Sequence, residues 1–507
     1  MHKFLKIFAL SLLPFFINAN ERPNIILILV DDMGYSDLGC FGSEINTPNI
    51  DKLAADGIKF THFTNNAKCE TTRTSLMSGR YHTETYKDNH STVTIPENLG
   101  LAGYQNWMVG KWHIFDKPMK RGFERYFGFH EGATNFFNGE GTGGGYSYFD
   151  DETPYEMPKD FYSTNAFTDY AIKYIDERKK EKPFFMYMAY NAPHYPLQAP
   201  KEEVMKYRGK YMDGWQALRK KRFKRMKELE IIPQDMSLSK PESNIKDWDK
   251  LSQEVKDDMD LRMAAYAAMI DIVDQNVGRL VKKLKADKIL DNTLVIFLSD
   301  NGACPFDRTR KPTKENNLMP WDPASYICYP ASWANACNTP FRMYKQNQHE
   351  GGIATSMIAH WPAGITVPGS FNRQRGHLID FHATFRDLAK VDYPSEYKGN
   401  KAAKVRGISL VPSFQGKARP EHEFIYQNFS NSKTAFVMGK WKLVNAKELY
   451  DLETDRIESN DLSKSRPEQM QLMLTEWQKR DLELNKGHAS VNKPQKKKKQ
   501  PKKAKKK

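Results

Sequence analysis

Cysteine is scarce in this chain: five occur in 507 residues, as Cys40, Cys69, Cys304, Cys328 and Cys337. That excludes a small disulfide-stapled scaffold, so the core must come from burial of apolar side chains, which 39% hydrophobic and 12% aromatic content supplies. Cys328 and Cys337 are the closest pair, and spacing alone leaves open whether they bond. Long apolar runs are just as rare. The one present occupies residues 4–17, broken by Lys6, Ser11 and Pro14, preceded by Lys3 and followed by Asn18-Ala19-Asn20. It falls short of the ~20 apolar residues of a bilayer span, so residues 1–20 read as a secretory signal peptide, implying a periplasmic or secreted protein. Cysteine is absent from the cleavage region, so no lipid anchor is expected. Acidic residues are missing from the end of the chain, where residues 493–507 hold ten Lys and neither Asp nor Glu. Without that stretch 67 basic residues face 62 acidic ones, and the net charge of +15 drops to +5, so no nucleic-acid partner is implied. The tail over residues 491–507 reads as a solvated, disordered extension; the sharper reading is electrostatic contact with polyanions. Internal repeats are lacking too.

What is present is an alternation of strand-like and helix-like segments, the pattern of a mostly parallel central sheet between helices, an α/β fold. Residues 23–30 (PNIILILV), 183–190 (PFFMYMAY) and 293–298 (TLVIFL) are continuous apolar runs suited to strands buried on both faces. Each stops at polar residues: Asp31-Asp32, Asn191-Ala192-Pro193-His194 and Ser299-Asp300-Asn301. Ligands in open α/β sheets sit beyond the carboxyl ends of the strands, so the three termini are expected to converge. Helices are predicted near residues 47–57, capped by Thr47 with Pro48 in the first turn, and over 256–285, where Met263, Tyr266, Ile270, Val273 and Val277 recur at helical spacing. Residues 207–229 mix basic and aromatic side chains and read as a surface helix. Beyond about residue 400 the texture changes to short strands at 423–427, 434–438 and 441–444, then an amphipathic helix at 467–484. The expected organisation is a catalytic domain over 21–400 and a smaller α+β subdomain over 401–490.

Two constellations carry chemistry. Asp31 and Asp32, with the distant Asp300 and Asn301, are hard oxygen donors suited to Ca²⁺ or Mg²⁺. Cys69 opens a helix-like stretch (CETTRTSLMSGRY, residues 69–81) in which Arg73 shares its face. A cysteine there would sit at the positive end of the helix, with a guanidinium in reach for a bidentate contact to an anion.

These segments, together with Gly110-Lys111-Trp112-His113 and residues 345–362 (KQNQHEGGIATSMIAHWP), resemble the sulfatases of the alkaline phosphatase superfamily, in particular the bacterial arylsulfatase type, from about residue 22 to 485. The resemblance implies an alkaline-phosphatase-like fold and hydrolysis of sulfate monoesters on a small molecule or glycan. It implies that Asp31, Asp32, Asp300 and Asn301 bind Ca²⁺ together with Cys69, matured to formylglycine by a dedicated enzyme. Arg73 then supports the modified side chain, Lys111 and Lys345 bind the sulfate, and His113 and His194 are the active-site histidines. Gly351-Gly352 is expected to make a tight turn presenting the Lys345 segment. The chain departs from the family at one point: Thr71 stands where the maturation signal carries Pro or Ala. Two alternatives stay open, a phosphate or phosphonate ester hydrolase of the same superfamily, and a sulfated-glycan binding protein without catalysis should Cys69 remain a thiol.

Overall fold

Residues Asn24–Val30 form strand β1, buried almost throughout. Its side chains alternate between two layers: Ile26, Ile28 and Val30 join a core with Met263, Ile270 and Val277, whereas Ile25, Leu27 and Leu29 join a second core with Leu76, Phe381 and Phe385. A strand with apolar residues at every position can do this only in the middle of a sheet covered on both faces. The computed structural model describes residues 22–85, 89–141, 147–430 and 432–485; the segments read as a signal peptide and a Lys-rich tail lie outside them.

Six further strands complete the middle of an 11-stranded sheet: β2 (Ile58–Thr64), β3 (Gln105–Lys111), β4 (Arg125–Phe129), β5 (Phe184–Ala189), β6 (Thr293–Ser299) and β7 (Ala354–His360). They lie in the order β2-β7-β6-β1-β5-β3-β4. The run from β6 to β4 is parallel, with Ile25 opposite both Phe185 and Leu294, and only β7 among the seven runs against its neighbours. This places the carboxyl ends of β6, β1, β5 and β3 side by side. The amino end of the reversed β7 falls on the same edge.

The covering helices include α1 (Pro48–Ala55), α2 (Cys69–Ser78), α3 (Gly214–Glu228), α4 (Gln253–Ala286), α5 (Asp380–Ala389) and α6 (Pro467–Leu484). The 34-residue α4 starts where the Ser252 hydroxyl accepts from Val255 N–H, and one of its faces fills the first core. After α5 come four antiparallel strands, β8 (Ile425–Ser430), β9 (Lys433–Met438), β10 (Trp441–Val444) and β11 (Glu448–Asp451), paired in sequence order. Phe436, Leu443 and Leu449 from this sheet, with Met473 of α6, join the second core. No helix among the described residues is long and apolar enough to cross a membrane.

Two local expectations give way, and one open question closes. Residues 207–229 are not one surface helix: turns precede α3, and Trp215, Arg219 and Arg222 are buried. Arg222 pairs with Asp37 at 2.5 Å and Glu44 at 2.8 Å, so internal carboxylates, absent from any reading of the segment itself, draw the basic side inward. Gly351 and Gly352 lie in a single helical turn, Glu350–Ile353. What they provide is closeness, since a Cβ on either would meet carbonyl oxygens of residues 342–347 within 2.2 Å. All five cysteines are free, so Cys328 and Cys337 are not bonded.

Candidate active site

The four parallel strand ends each deliver a polar group. β1 ends on Asp31 and Asp32, β6 on Asp300 and Asn301, β3 on Lys111, and the segment after β5 carries His194. Gly110, at φ +100°, lets β3 run against β5; a Cβ there would stand 2.0 Å from the Ala189 oxygen. The turn after β2 leads into α2, whose first residue is Cys69. That turn is tied to the site from within. Asn65 Nδ2 donates to the Ser299 carbonyl at 2.6 Å, and Thr72 Oγ1 donates to the Asp300 carbonyl at 2.7 Å. Lys345 enters from the loop before β7.

All the residues singled out in the sequence meet here. Lys111 Nζ lies 2.5 Å from Asp31 Oδ2, and Lys345 Nζ lies 2.5 Å from Asp32 Oδ1. The Cys69 sulfur and one oxygen each of Asp31 and Asp300 fall within 4.8 Å of one another. Arg73 differs from its expected posture. Its Nε and Nη2 both reach Asp300 Oδ2, at 3.1 and 2.9 Å, and Nη1 donates to the Lys111 carbonyl at 2.9 Å. The guanidinium is fully buried and clamps a carboxylate instead of facing an incoming anion. Tyr187, which the sequence reading did not single out, adds its hydroxyl 3.4 Å from Arg73 Nη1; nothing in an apolar strand sequence marks it.

Charge in this buried cluster balances, with Asp31, Asp32 and Asp300 against Lys111, Lys345 and Arg73. Burial pushes the Asp31 and Asp32 carboxyls up, but Lys111 for the first, Lys345 for the second and His194 for both outweigh it and hold each below the ordinary value. Burial and the neighbouring Asp31 leave Asp300 raised despite Arg73. Burial, then Lys111, Arg73 and Lys345, push His113 far down, so it is neutral near pH 7. Burial lowers His194 as well, against the pull of Asp32 and Asp31. Its Nδ1 donates to the Tyr195 carbonyl at 2.6 Å, which fixes the tautomer and aims Nε2 at Asp32 Oδ2, 3.4 Å away.

Three oxygens in the cluster, Asp31 Oδ1, Asp32 Oδ2 and Asn301 Oδ1, are buried without a hydrogen-bond donor. Orphaned acceptors of this kind are costly unless a cation meets them. With Asp300 they are hard oxygen donors suited to Ca²⁺ or Mg²⁺; Asp31 is shared by two candidate ligand groups, one with Asp300 and the Cys69 sulfur, the other with Asp32 and His194. Outward from the cluster opens a cleft of about 370 Å³, lined by Lys68, Cys69, His113, His194 and Lys345 and further out by Tyr195, Phe306, Arg308 and Tyr326. A larger cavity, about 730 Å³, lies between Ile232, Arg373, Arg375 and Val437 and holds none of the sequence-predicted site residues.

The C-terminal sheet buttresses this site, a role sequence reasoning missed. Lys433 Nζ donates to the Gln346 carbonyl at 2.8 Å, next to Lys345. Below it, the buried Lys442 bridges Glu350 at 2.9 Å and Glu458 at 2.7 Å, and Glu458 accepts from Glu350 N–H. Lys442→Met leaves buried Glu458 without its cation and Glu350 with Arg456 alone, and is expected to cost about 3–5 kcal/mol in denaturant unfolding at pH 7. The pH dependence follows from depressed carboxylates. Burial is outweighed by Lys442 and Arg456 at Glu350, and the His349 hydrogen bond leads at Glu448, which falls to about 2. A folded pKa below the unfolded one contributes stability above the ordinary value of 4.5 and loses it as pH falls toward 2. The gap between wild type and Lys442→Met should therefore narrow as pH falls from about 5 toward 2; a constant gap would remove Lys442 from this role.

Comparison with known proteins places this geometry in context. A family model described as Sulfatase matches residues 23–391. An uncharacterised sulfatase of Schizosaccharomyces pombe is 33% identical, covering 90% of this chain and 93% of its own length. An arylsulfatase of Klebsiella aerogenes is 32% identical, covering 79% of this chain and 93% of its own. Among solved structures, Ps i-CgsB in complex with k-i-k-neocarrahexaose aligns with a TM-score of 0.66 at 27% identity, over 90% of this chain and 92% of that one.

Proposed function

Since the chain belongs to the sulfatase family and is a sulfuric ester hydrolase, we propose that it removes sulfate from a sulfated carbohydrate, with Cys69 matured to formylglycine and Ca²⁺ held by Asp31, Asp32, Asp300 and Asn301. The observation that carries the reading is the donor set. Three orphaned oxygens lie in the cluster, and Asp31 stands within ligand distance of Asp300 and the Cys69 sulfur on one side and of Asp32 and His194 on the other; an oxygen in place of that sulfur would suit a hard cation. Bound calcium supplies Lewis acidity toward a sulfate oxygen and makes a hydroxyl at position 69 easier to ionise. Because the side chains of the cluster already balance in charge, a divalent cation held there would leave the site positive and matched to an anionic ester.

The chain's own residues supply the rest. Lys111 and Lys345, each now against a carboxylate, are placed to hold the peripheral sulfate oxygens and the charge that grows on them. Arg73 keeps Asp300 and the Lys111 carbonyl in place from behind. His194, its Nδ1 proton committed to the Tyr195 carbonyl, presents Nε2, which passes a proton to the departing sugar oxygen only after the ring has taken up a second proton beside Asp31 and Asp32. Lys345 is the other donor within the cleft. His113 is neutral with Nδ1 unpartnered, the state a base needs to take a proton at position 69. A Cβ at Gly132 would stand 3.1 Å from the His113 ring, so a side chain there would press on the imidazole.

The carbohydrate assignment rests on the neighbour crystallised with a carrahexaose and on the aromatic lining of the cleft. Export through residues 1–20 and contact of the Lys-rich tail with polyanions belong to the same proposal. Two measurements test it. The peptide bearing Cys69, taken from the native host, is expected to carry the mass of formylglycine; an unmodified thiol would overturn the nucleophile. Turnover of an aryl sulfate is expected to exceed that of the matching aryl phosphate by at least a hundredfold, and the opposite preference would make the chain a phosphoesterase on a sulfatase frame.

A further inference from the structure

We propose that the outer part of the Cys69 cleft is a second anion subsite, centred on Arg308 and walled by Tyr195, Phe306 and Tyr326. The preferred substrate is then a sulfated oligosaccharide whose neighbouring sugar carries another sulfate or a carboxylate. The proposal rests on the sulfatase reading of the centre and extends it to the choice of substrate.

Arg308 lines the same cleft as Cys69, His194 and Lys345, so a ligand bound at the centre continues toward it. Its guanidinium is held by neutral groups. Nη1 donates to the Tyr195 hydroxyl at 2.8 Å, and the Cζ lies 5.7 Å from the Tyr195 ring centre and 4.9 Å from that of Phe306. Aromatic contacts position a guanidinium without consuming the N–H groups around its edge. Among the described residues no carboxylate pairs with Arg308, whereas Arg125, Arg178, Arg208 and Arg279 at the surface each bind one. The acid next to it in sequence is diverted: Asp307 faces Arg262 at 3.2 Å and the Thr309 hydroxyl at 2.6 Å. Arg310 repeats the arrangement two residues on, with its Cζ 3.9 Å from the centre of the Tyr326 ring. Two guanidiniums set over aromatic rings, with the preceding acid Asp307 turned away toward Arg262 and no carboxylate among the described residues paired with either, make a positive rim.

The wall begins at the reaction centre. Tyr195 follows His194 directly, and their ring centres are 4.1 Å apart. The sugar that leaves through His194 therefore departs against Tyr195, with Tyr326 a further 6.0 Å along. The apolar C–H face of a pyranose packs on such rings while its equatorial substituents reach outward. A planar, bidentate donor at that distance selects an oxyanion over a hydroxyl.

The test compares wild type, Arg308→Gln and Arg308→Lys on four esters: 4-nitrophenyl sulfate, a monosulfated disaccharide, the same disaccharide with a second sulfate, and one with a uronate neighbour. In wild type kcat/KM should be highest for a doubly charged disaccharide, and its ratio to the monosulfated one should drop at least tenfold in Arg308→Gln, mostly through KM. Arg308→Lys should retain part of the ratio, and added salt should reduce it in wild type. Whichever of the second sulfate and the uronate gives the larger ratio is the anion the subsite reads. An unchanged ratio in Arg308→Gln, or equal losses on all four esters, overturns the subsite alone. Absence of turnover of 4-nitrophenyl sulfate by wild type overturns the sulfatase reading and the subsite with it.

Discussion

Cys69→Ala is expected to lower kcat on an aryl sulfate by about 10⁴ to 10⁶, in the range seen when a covalent nucleophile is removed from an enzyme that otherwise keeps its site. The basis is placement. The side chain is 4% exposed, at the start of α2, with its sulfur among the carboxylates of Asp31 and Asp300 and its outer side on the cleft. Alanine fits the same space, and the helix is held by Thr72 and Arg73 rather than by residue 69, so folding should be little affected. Cys69→Ser separates two meanings of the position. Serine restores an oxygen to the cation site and should keep bound calcium, yet it offers one hydroxyl where hydrated formylglycine has two, and steady-state turnover should stay lost. A serine variant with more than about a tenth of wild-type turnover would show that a lone hydroxyl suffices and would remove the need for maturation. Retained activity in the alanine variant would displace the nucleophile altogether.

The second large effect concerns the cation. Asp31→Asn removes one negative charge from the donor set and at the same time deprives buried Lys111 of its ion partner at 2.5 Å. Outer-shell partners of metal ligands cost about 10–100-fold in affinity or activity when removed, so loss of a ligand should cost at least a hundredfold in activity. The independent readout is binding. In wild type, calcium at 100 times its Kd should add about 2.7 kcal/mol to unfolding stability, and metal analysis should find about one ion per chain. In Asp31→Asn both should be largely lost. Calcium that stabilises the variant as much as wild type would place the ion elsewhere, and Asp31 would then be a partner for Lys111 and nothing more.

Much of this architecture could be read from residues alone because its signals are local. A strand such as 23–30, apolar at every position, can only be central, and polar residues at its carboxyl end have nowhere to go but the ligand edge. Helix α6 starts and ends where its amphipathic pattern predicted, and α4 extends only three residues further at its start. The convergence of Asp31, Asp300 and His194 followed from strand ends, but Lys111, His113 and Lys345 rested on resemblance, since a lysine after a strand carries no pattern of its own. What stayed hidden is pairwise. Arg222 on Asp37, Arg73 on Asp300 and Lys442 on Glu350 are each decided by a partner at least 90 residues away in sequence. Basic residues look alike until the carboxylate that buries them is known.

The buttress behind Lys345 has a consequence for the order of events during synthesis. Cys69 leaves the ribosome early, whereas Lys433, Lys442 and Glu458, which fix the loop around Lys345, emerge hundreds of residues later. Asn65, beside the turn into α2, is likewise held through its carbonyl by Gln427 of β8. Once assembled, nearly all of α2 is buried. An enzyme that altered Cys69 would therefore have to reach it before the last strands dock.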